Sequence, residues 1–363
     1  MLLDEELLED MAIGATILAV GGGGDPYIGK LLAREAIRKY GPIPVIDLAD
    51  VPDDARLAFV AGLGAPGVLN EKLPRAEEII AAVEVLEDHL GYRFTHLVPG
   101  EAGGLNAILP ATAAAAHGIP MVDADGMGRA FPYMDLVTPT LHGGRISPMS
   151  IVDEHGNRIV LTSETNAWAE AIGRAAMVAS GCMTMTALYP MTGAQAKQWL
   201  VGGTVSLAAR LGRTVRTARA DHRNPVDAIV DEHGAVRLFD GKVVDVARRI
   251  EGGWNRGEAV LDGIDAFGGQ SMRVGFQNEY LIATLGGETV ATTPDLIMTV
   301  ILETGEPIPA EEIRYGYRVA VLGLSSDRQW RTDDGLALAG PRRFGYDLDF
   351  VPVCTPDAAR PAS

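Results

Sequence analysis

The sequence predicts an α/β protein: an N-terminal domain with a mostly parallel sheet flanked by helices, followed by a β-rich C-terminal domain. Three observations lead there. Near-continuous apolar runs such as "PVIDL" and "THLVP" alternate with amphipathic helical stretches early in the chain, the pattern of strands buried on both faces. After about Arg213 the texture changes to short strands punctuated by Gly and Asp-Gly, as in "FDGKVVDV", "LIATLGGETV" and "YRVAVLGL". A chain of 363 residues, 47% hydrophobic and 22% charged, is long enough for two ordinary domains with a sizeable core. The expected division is 1–170 and 171–363, the second part helical at first, with helices over 165–215 that can bridge both.

The elements follow in order. Asp4 is placed to cap a helix that presents Leu7, Leu8, Met11, Ala15 and Leu18 at helical spacing, with Gly21 as its stop. Asp25-Pro26 reads as the N-cap and first residue of a second helix, "YIGKLLAREAIRKYG". Pro44–Leu48 and Arg56–Gly67 read as buried strands with following loops, and Arg75–Gly91 as a helix with Ile79, Ile80, Val83 and Leu86 inward. The stretch from Thr95 to Pro132 reads as strand, Gly-rich loop, alanine-rich helix, turn, strand and loop. In such sheets ligands sit at the carboxyl ends of strands, which singles out the loops after Val98 and Val122. "IVDEHGNRIV" (151–160) and "IVDEHGAVRLF" (229–239) both fit strand, tight turn, strand. Ser163–Gly181 reads as a Ser-capped helix, and Ala194–Leu211 as one or two more.

Composition removes several function classes. The net charge of −17 and the lack of a Lys/Arg run disfavour nucleic acid and anionic membrane surfaces as partners. The longest uncharged stretch, Ala175–Ala196, carries Pro190, Gly181, Gly193 and three threonines and makes a poor membrane span. The two cysteines, Cys182 and Cys354, form no CxxC and no disulfide framework. With an acidic N-terminus unlike a signal peptide, this gives a cytoplasmic expectation. The expected partner is a small-molecule substrate, in a homo-oligomer.

Four loops carry candidate chemistry. In "GGGGDPY", the amides of Gly22, Gly23 and Gly24 just before a helix N-terminus can line an anion or oxyanion cradle; a plain helix stop and linker is the alternative. No Walker lysine follows. In "PGEAGGLN", Glu101 sits two residues past an apolar strand and near Asn106, where a low-dielectric pocket would raise its pKa and suit it to acid or base work. In "VDADGMGRAFPY", Asp123 and Asp125 face opposite ways if extended and converge if the chain turns, and Arg129 can grip a substrate carboxylate. In "LHGGR", His142 is a candidate base, substrate-binding residue or metal ligand. Cys182 is a candidate thiolate ligand or nucleophile beside the reading of a small buried hydrophobe. Since no HExxH or HxH occurs, a metal site would be assembled from distant residues.

Taken together, "GGGGDPY", "PGEAGGLN" and "PMVDADGMGRAFP" resemble the S-methyl thiohydantoin desulfurase family, over nearly the whole chain. The "DADGMGRAFP" block is the most specific piece. One departure stands out: the family pattern has Glu after "GRAFP", where this chain has Tyr133, which points to a different substrate ring. The resemblance implies hydrolysis of a cyclic isothiourea, with water attacking the carbon that bears sulfur, methanethiol leaving and a hydantoin as product. It implies Asp123 or Asp125 as base, Glu101 and Asn106 on the ring nitrogens, Gly22 to Gly24 on the ring carbonyl and Arg129 on a carboxylate tail. No cofactor is required by that chemistry. Two rival readings stand beside it. One is a metal-dependent cyclic-amide hydrolase with zinc on the Asp cluster, His142 and Cys182; the other is a non-catalytic binding partner of a hydantoinase.

Overall fold

The computed structural model describes residues 1–64, 68, 72–251 and 254–354. Two compact units make up the chain: Met1–Ala15 with Gly23–Ala209, and Thr16–Gly22 with the chain from Arg210 onward. No single linear cut describes them, because the short segment Thr16–Gly22 belongs with the C-terminal unit. Residue 170 lies within the helix Asn166–Ala179.

The N-terminal unit is built on one sheet. Its strands are β1 (Leu2–Leu3), β2 (Ile43–Asp47), β3 (Arg56–Gly64), β4 (His96–Pro99), β5 (Met121–Asp125), β6 (Met149–Val152), β7 (Arg158–Leu161), β8 (Met183–Thr192) and β9 (Val201–Gly202). Among the described residues the order is β1-β2-β5-β4-β3-β8-β6-β7, with β9 on β5. The centre, β2-β5-β4-β3, is parallel. Antiparallel strands extend it on both sides, so the sheet as a whole is mixed. Short connections such as the β6–β7 turn permit only antiparallel neighbours, while the parallel centre needs helical crossovers. The α/β reading with a β-rich C-terminal half is therefore borne out, with the parallel register confined to the centre.

Local signals explain the helices. The Asp4 carboxylate accepts from the Leu7 amide at 2.9 Å, starting Glu5–Leu18. Asp25 accepts from Tyr27 N at 2.8 Å with Pro26 as the first helical residue of Pro26–Tyr40. In Ala76–Leu90 the buried stripe includes Ile79, Val83 and Leu86, and in Leu109–His117 Ala111, Ala113 and Ala114 are fully buried. Small side chains on that second helix let it approach its neighbours closely.

Three local expectations are corrected. The segment 229–239 is not a hairpin: Asn224 caps a helix, Pro225–His233, which Gly234 ends in the left-handed conformation before the next strand. The look-alike 151–160 does form a hairpin, with Asp153 accepting from the His155 and Asn157 amides across the turn. The helix from Asn166 is capped by Thr165, not Ser163, its hydroxyl accepting from Trp168 N at 3.2 Å. Finally, Asp240-Gly241 is no turn but lies inside a long strand with register shifts. The loop expected at 65–67 lies outside the described residues.

The C-terminal unit is an antiparallel sheet of β10 (Val236–Glu251), β11 (Trp254–Gly263), β12 (Ser271–Gln277), β13 (Glu279–Leu285), β14 (Glu288–Thr292), β15 (Leu296–Ile301) and β16 (Arg318–Leu324). Their order is β14-β13-β12-β11-β10-β16-β15. One face buries Phe239, Phe267, Phe276 and Tyr280, with Phe239 and Phe267 ring centroids 5.0 Å apart. Asp295, fully buried, ties the segments after β16 to the sheet. It accepts from Ser326 N (2.9 Å), Val353 N (2.9 Å) and both ways from Arg331 (2.7 and 2.6 Å). Asp295→Asn, which keeps one acceptor and loses the charge facing Arg331, is expected to destabilise the unit by about 2 kcal/mol. Calorimetric unfolding of the variant checks this; an unchanged melting profile would count against Asp295 as a tie. Among the described residues no helix is long and apolar enough to cross a membrane.

Candidate active site

Strands β4 and β5 run side by side and parallel, Leu97 level with Met121. Their carboxyl ends therefore deliver the loops at Gly100 and Gly126 to the same place, at the end of the sheet where α/β ligands bind. The Gly126 amide donates to the Gly100 carbonyl at 3.2 Å, stitching the two loops. A Cβ on Gly126 would meet the Phe59 ring at 2.8 Å and that carbonyl at 3.0 Å, so only glycine allows the seam.

Glu101 is buried in the first loop. Its Oε1 accepts from Asn106 Nδ2 at 2.6 Å. Asn106 is itself fixed, its Oδ1 accepting from the Gly62 amide of β3 at 2.7 Å. Glu101 Oε2 is buried and lacks a hydrogen-bond partner of normal geometry. Burial pushes the Glu101 pKa up to about 8. The Asn106 bond opposes that rise, the nearby Asp125 carboxyl adds to it, and the Phe131 amide and then the Arg129 charge oppose it. Near neutral pH the side chain is mostly a neutral carboxylic acid, able to donate as well as accept.

Asp125 is fully buried at the end of β5. Its carboxyl accepts from Met127 N at 3.0 Å and from Gly128 N at 2.9 and 2.8 Å. Burial raises its pKa to about 7 against the pull of the Gly128 and Met127 amides. The chain stays extended through Asp123, so the two aspartates face opposite ways. Asp123 Oδ1 accepts from Ser206 N at 2.9 Å, and its carbonyl accepts from Gly203 N at 2.7 Å, securing the start of the helix Thr204–Ala220. The structure thus brings Asp125, but not Asp123, into the neighbourhood of Glu101.

Arg129 is fully buried, its Nε donating to the Ala130 carbonyl at 3.0 Å and its guanidinium lying 4.4 Å from the Phe131 ring centroid. His142 is exposed at the end of the short helix Thr138–Leu141. Cys182 is half-buried at a left-handed φ of 64°, after the end of Asn166–Ala179. Among the described residues no three His, Cys, Asp or Glu side chains gather at metal-binding range, so the structure does not assemble His142 and Cys182 with the aspartates.

The glycine run is divided between the units. The Gly22 amide is committed to the Ala19 carbonyl at 2.8 Å, within the C-terminal unit, which removes it from a donor cradle. In the N-terminal unit the Gly23 and Gly24 carbonyls accept from Leu105 N at 2.9 and 3.3 Å, while their own amides donate to nothing among the described residues. Gly104 adopts a φ of +59°, and a Cβ there would collide with the Gly23 and Gly24 carbonyls. Two glycine loops are thus docked backbone to backbone, one of them the loop that holds Glu101. Gly104→Ala is expected to lose about 1–3 kcal/mol of stability. A melting temperature equal to that of the parent protein would refute this packing.

Sequence reasoning misses Gly62, which orients Asn106 from β3, the strand paired with β4, and Phe59, which backs the Gly100–Gly126 seam. The available signal is Gly62 within "VAGLG", since glycine inside a strand marks close approach of other groups.

The comparisons fit this architecture. Residues 6–163 match the family model described as S-Me-THD-like, N-terminal domain, and residues 164–353 the S-Me-THD-like, C-terminal domain. A crystal structure of a protein from Chromobacterium violaceum is similar, with 24% identity, 98% of this chain and 100% of that chain covered, and a TM-score of 0.80; it supports the fold alone. No curated protein matches the chain.

Proposed function

The chain belongs to the S-Me-THD-like family, and on that premise we propose that it hydrolyses the C–S bond of an S-methyl thiohydantoin-like cyclic isothiourea, releasing methanethiol and a hydantoin. One observation carries the reading: Glu101 is a buried carboxyl whose pKa burial raises to about 8, with Oε1 held by Asn106 and Oε2 buried without a hydrogen bond of normal geometry among the described residues. That is the group an isothiourea ring needs. Its C=N nitrogen gains a proton as water adds to the adjacent carbon.

The atoms balance with Glu101 as a proton carrier. The neutral acid gives its proton to the ring nitrogen while the water oxygen bonds to the carbon bearing sulfur. One proton of the added water moves to sulfur, the C–S bond breaks with its electron pair going to sulfur, and methanethiol leaves. The remaining oxygen-bound proton returns to Glu101 as the ring C=O forms. Asn106 is a positioning residue, holding Glu101 from the backbone of β3. Asp125 shapes the second loop through the Met127 and Gly128 amides. The unengaged amides of Gly23 and Gly24 are the donors this reading assigns to the ring carbonyl.

The test is turnover of an S-methyl thiohydantoin in ¹⁸O-labelled water. One labelled oxygen in the hydantoin, with a free thiol released in equal amount, is the expected outcome. Unlabelled product, or binding without any thiol release, would overturn the hydrolytic reading.

A further inference from the structure

The C-terminal unit contains a cavity of about 530 Å³ on one face of β10 to β13, within the range of small-molecule sites. Strand register decides what faces it. Arg256 on β11 stands level with Arg249 on β10 and with Gln277 on β12. Glu258 stands level with Gly275, and Val260 with Arg273, on the same face. Like charges directly opposite each other in an antiparallel pair repel. The Arg249–Arg256 register places two arginines side by side in adjacent strands.

Local chemistry points the same way. Among the described residues four arginines line the cavity against one carboxylate, Glu258, and that carboxylate already pairs with Arg273. Arg248 is committed to the Glu311 and Ile313 carbonyls. Among the described residues Arg256 Nε is buried and has no hydrogen-bond partner. A buried guanidinium N–H without an acceptor is costly, and a planar anion is its natural complement. A concentration of arginine of this kind stands out in a chain of net charge −17.

The cavity also has an apolar side. Tyr346 and Phe344 line it, and Ile282 stands level with Gly275 on β13. Tyr346 lies over Gly275, where a Cβ would come within 2.9 Å of its hydroxyl. Without a side chain at 275, the hydroxyl end of Tyr346 can approach the strand there.

We propose that this cavity is a binding site for a small organic anion that joins a phosphate or carboxylate group to a flat ring, the anion held by Arg256 and Arg273 and the ring set against Tyr346. The site stands on the C-terminal unit's own residues and does not depend on the reaction assigned to Glu101.

Calorimetric titration of the full chain with phenyl phosphate, benzoate and inorganic phosphate tests it. Saturable binding of phenyl phosphate is expected, with inorganic phosphate bound more weakly because it lacks the ring, and benzoate ranks the two anionic groups. Arg256→Ala should weaken phenyl phosphate at least about tenfold. Arg273→Ala, at an exposed position that leaves folding intact, should weaken it as well. Tyr346→Ala should weaken phenyl phosphate and benzoate but not inorganic phosphate. Binding that is absent up to ~10 mM, or unchanged in both arginine variants, would overturn the proposal. Binding only of a polyanion such as heparin would overturn it too, since that marks a charged surface rather than a cavity for a small ligand.

Discussion

Glu101→Gln is expected to lower methanethiol release by about 10²–10⁴-fold while leaving the fold intact, because the amide keeps the shape of the neutral acid but carries no transferable proton. The same substitution has a signature in stability. Glu101 has its ordinary value of 4.5 when unfolded and about 8 when folded. Since the folded pKa is the higher one, the stability contribution of its protonated form is fully present below about 4.5. It is lost as pH rises through about 8. Asp125 acts with the same sign, from 3.8 to about 7. The two carboxyls repel, so they titrate as a pair over an overlapping window. Relative to the parent protein, Glu101→Gln should therefore gain stability as pH is raised from about 5 to 9, on the order of a few kcal/mol. Parallel stability profiles for the two proteins over that range would show that Glu101 does not carry a raised pKa.

Asp125→Ala is expected to be the most disruptive single change in the N-terminal unit. It leaves the Met127 and Gly128 amides without their acceptor at a fully buried position, a loss of about 3–5 kcal/mol. The loop those amides shape runs on into Arg129 and Phe131, so activity should fall together with stability. Asp125→Asn, which keeps one oxygen, should lie between the two. Calorimetry on both variants gives the order. If Asp125→Asn were as stable as the parent protein yet inactive, Asp125 would itself have to carry a proton in the reaction, and its assignment to loop geometry would fail.

Much of this site was legible in the sequence, because its parts are local. Glu101 and Asn106 are five residues apart in one loop, and Asp125 ends a strand whose position follows from its apolar run. The caps at Asp4 and Asp25 are read from residue type alone. What was not legible depends on contacts between distant segments. Asn106 is held by Gly62, 44 positions away. The glycine run looked like a donor cradle, yet the Gly22 amide closes a turn and the Gly23 and Gly24 carbonyls dock on the Leu105 amide. Asp123 and Asp125 look equivalent in "DAD", and only the extended backbone separates one as a helix anchor from the other. The second "IVDEH" departs from its sequence pattern for a related reason. The segment matches a hairpin elsewhere in the chain, but Asn224-Pro225 upstream starts a helix through it.

Whether Glu101 works as a protonated acid is read from the pH dependence of kcat/KM for methanethiol release. The expected rate is level through neutral pH and falls about tenfold per pH unit above about 8, as Glu101 loses its proton. A rate that instead climbs through pH 8, as an ionised Glu101 acting as a base would give, would contradict it.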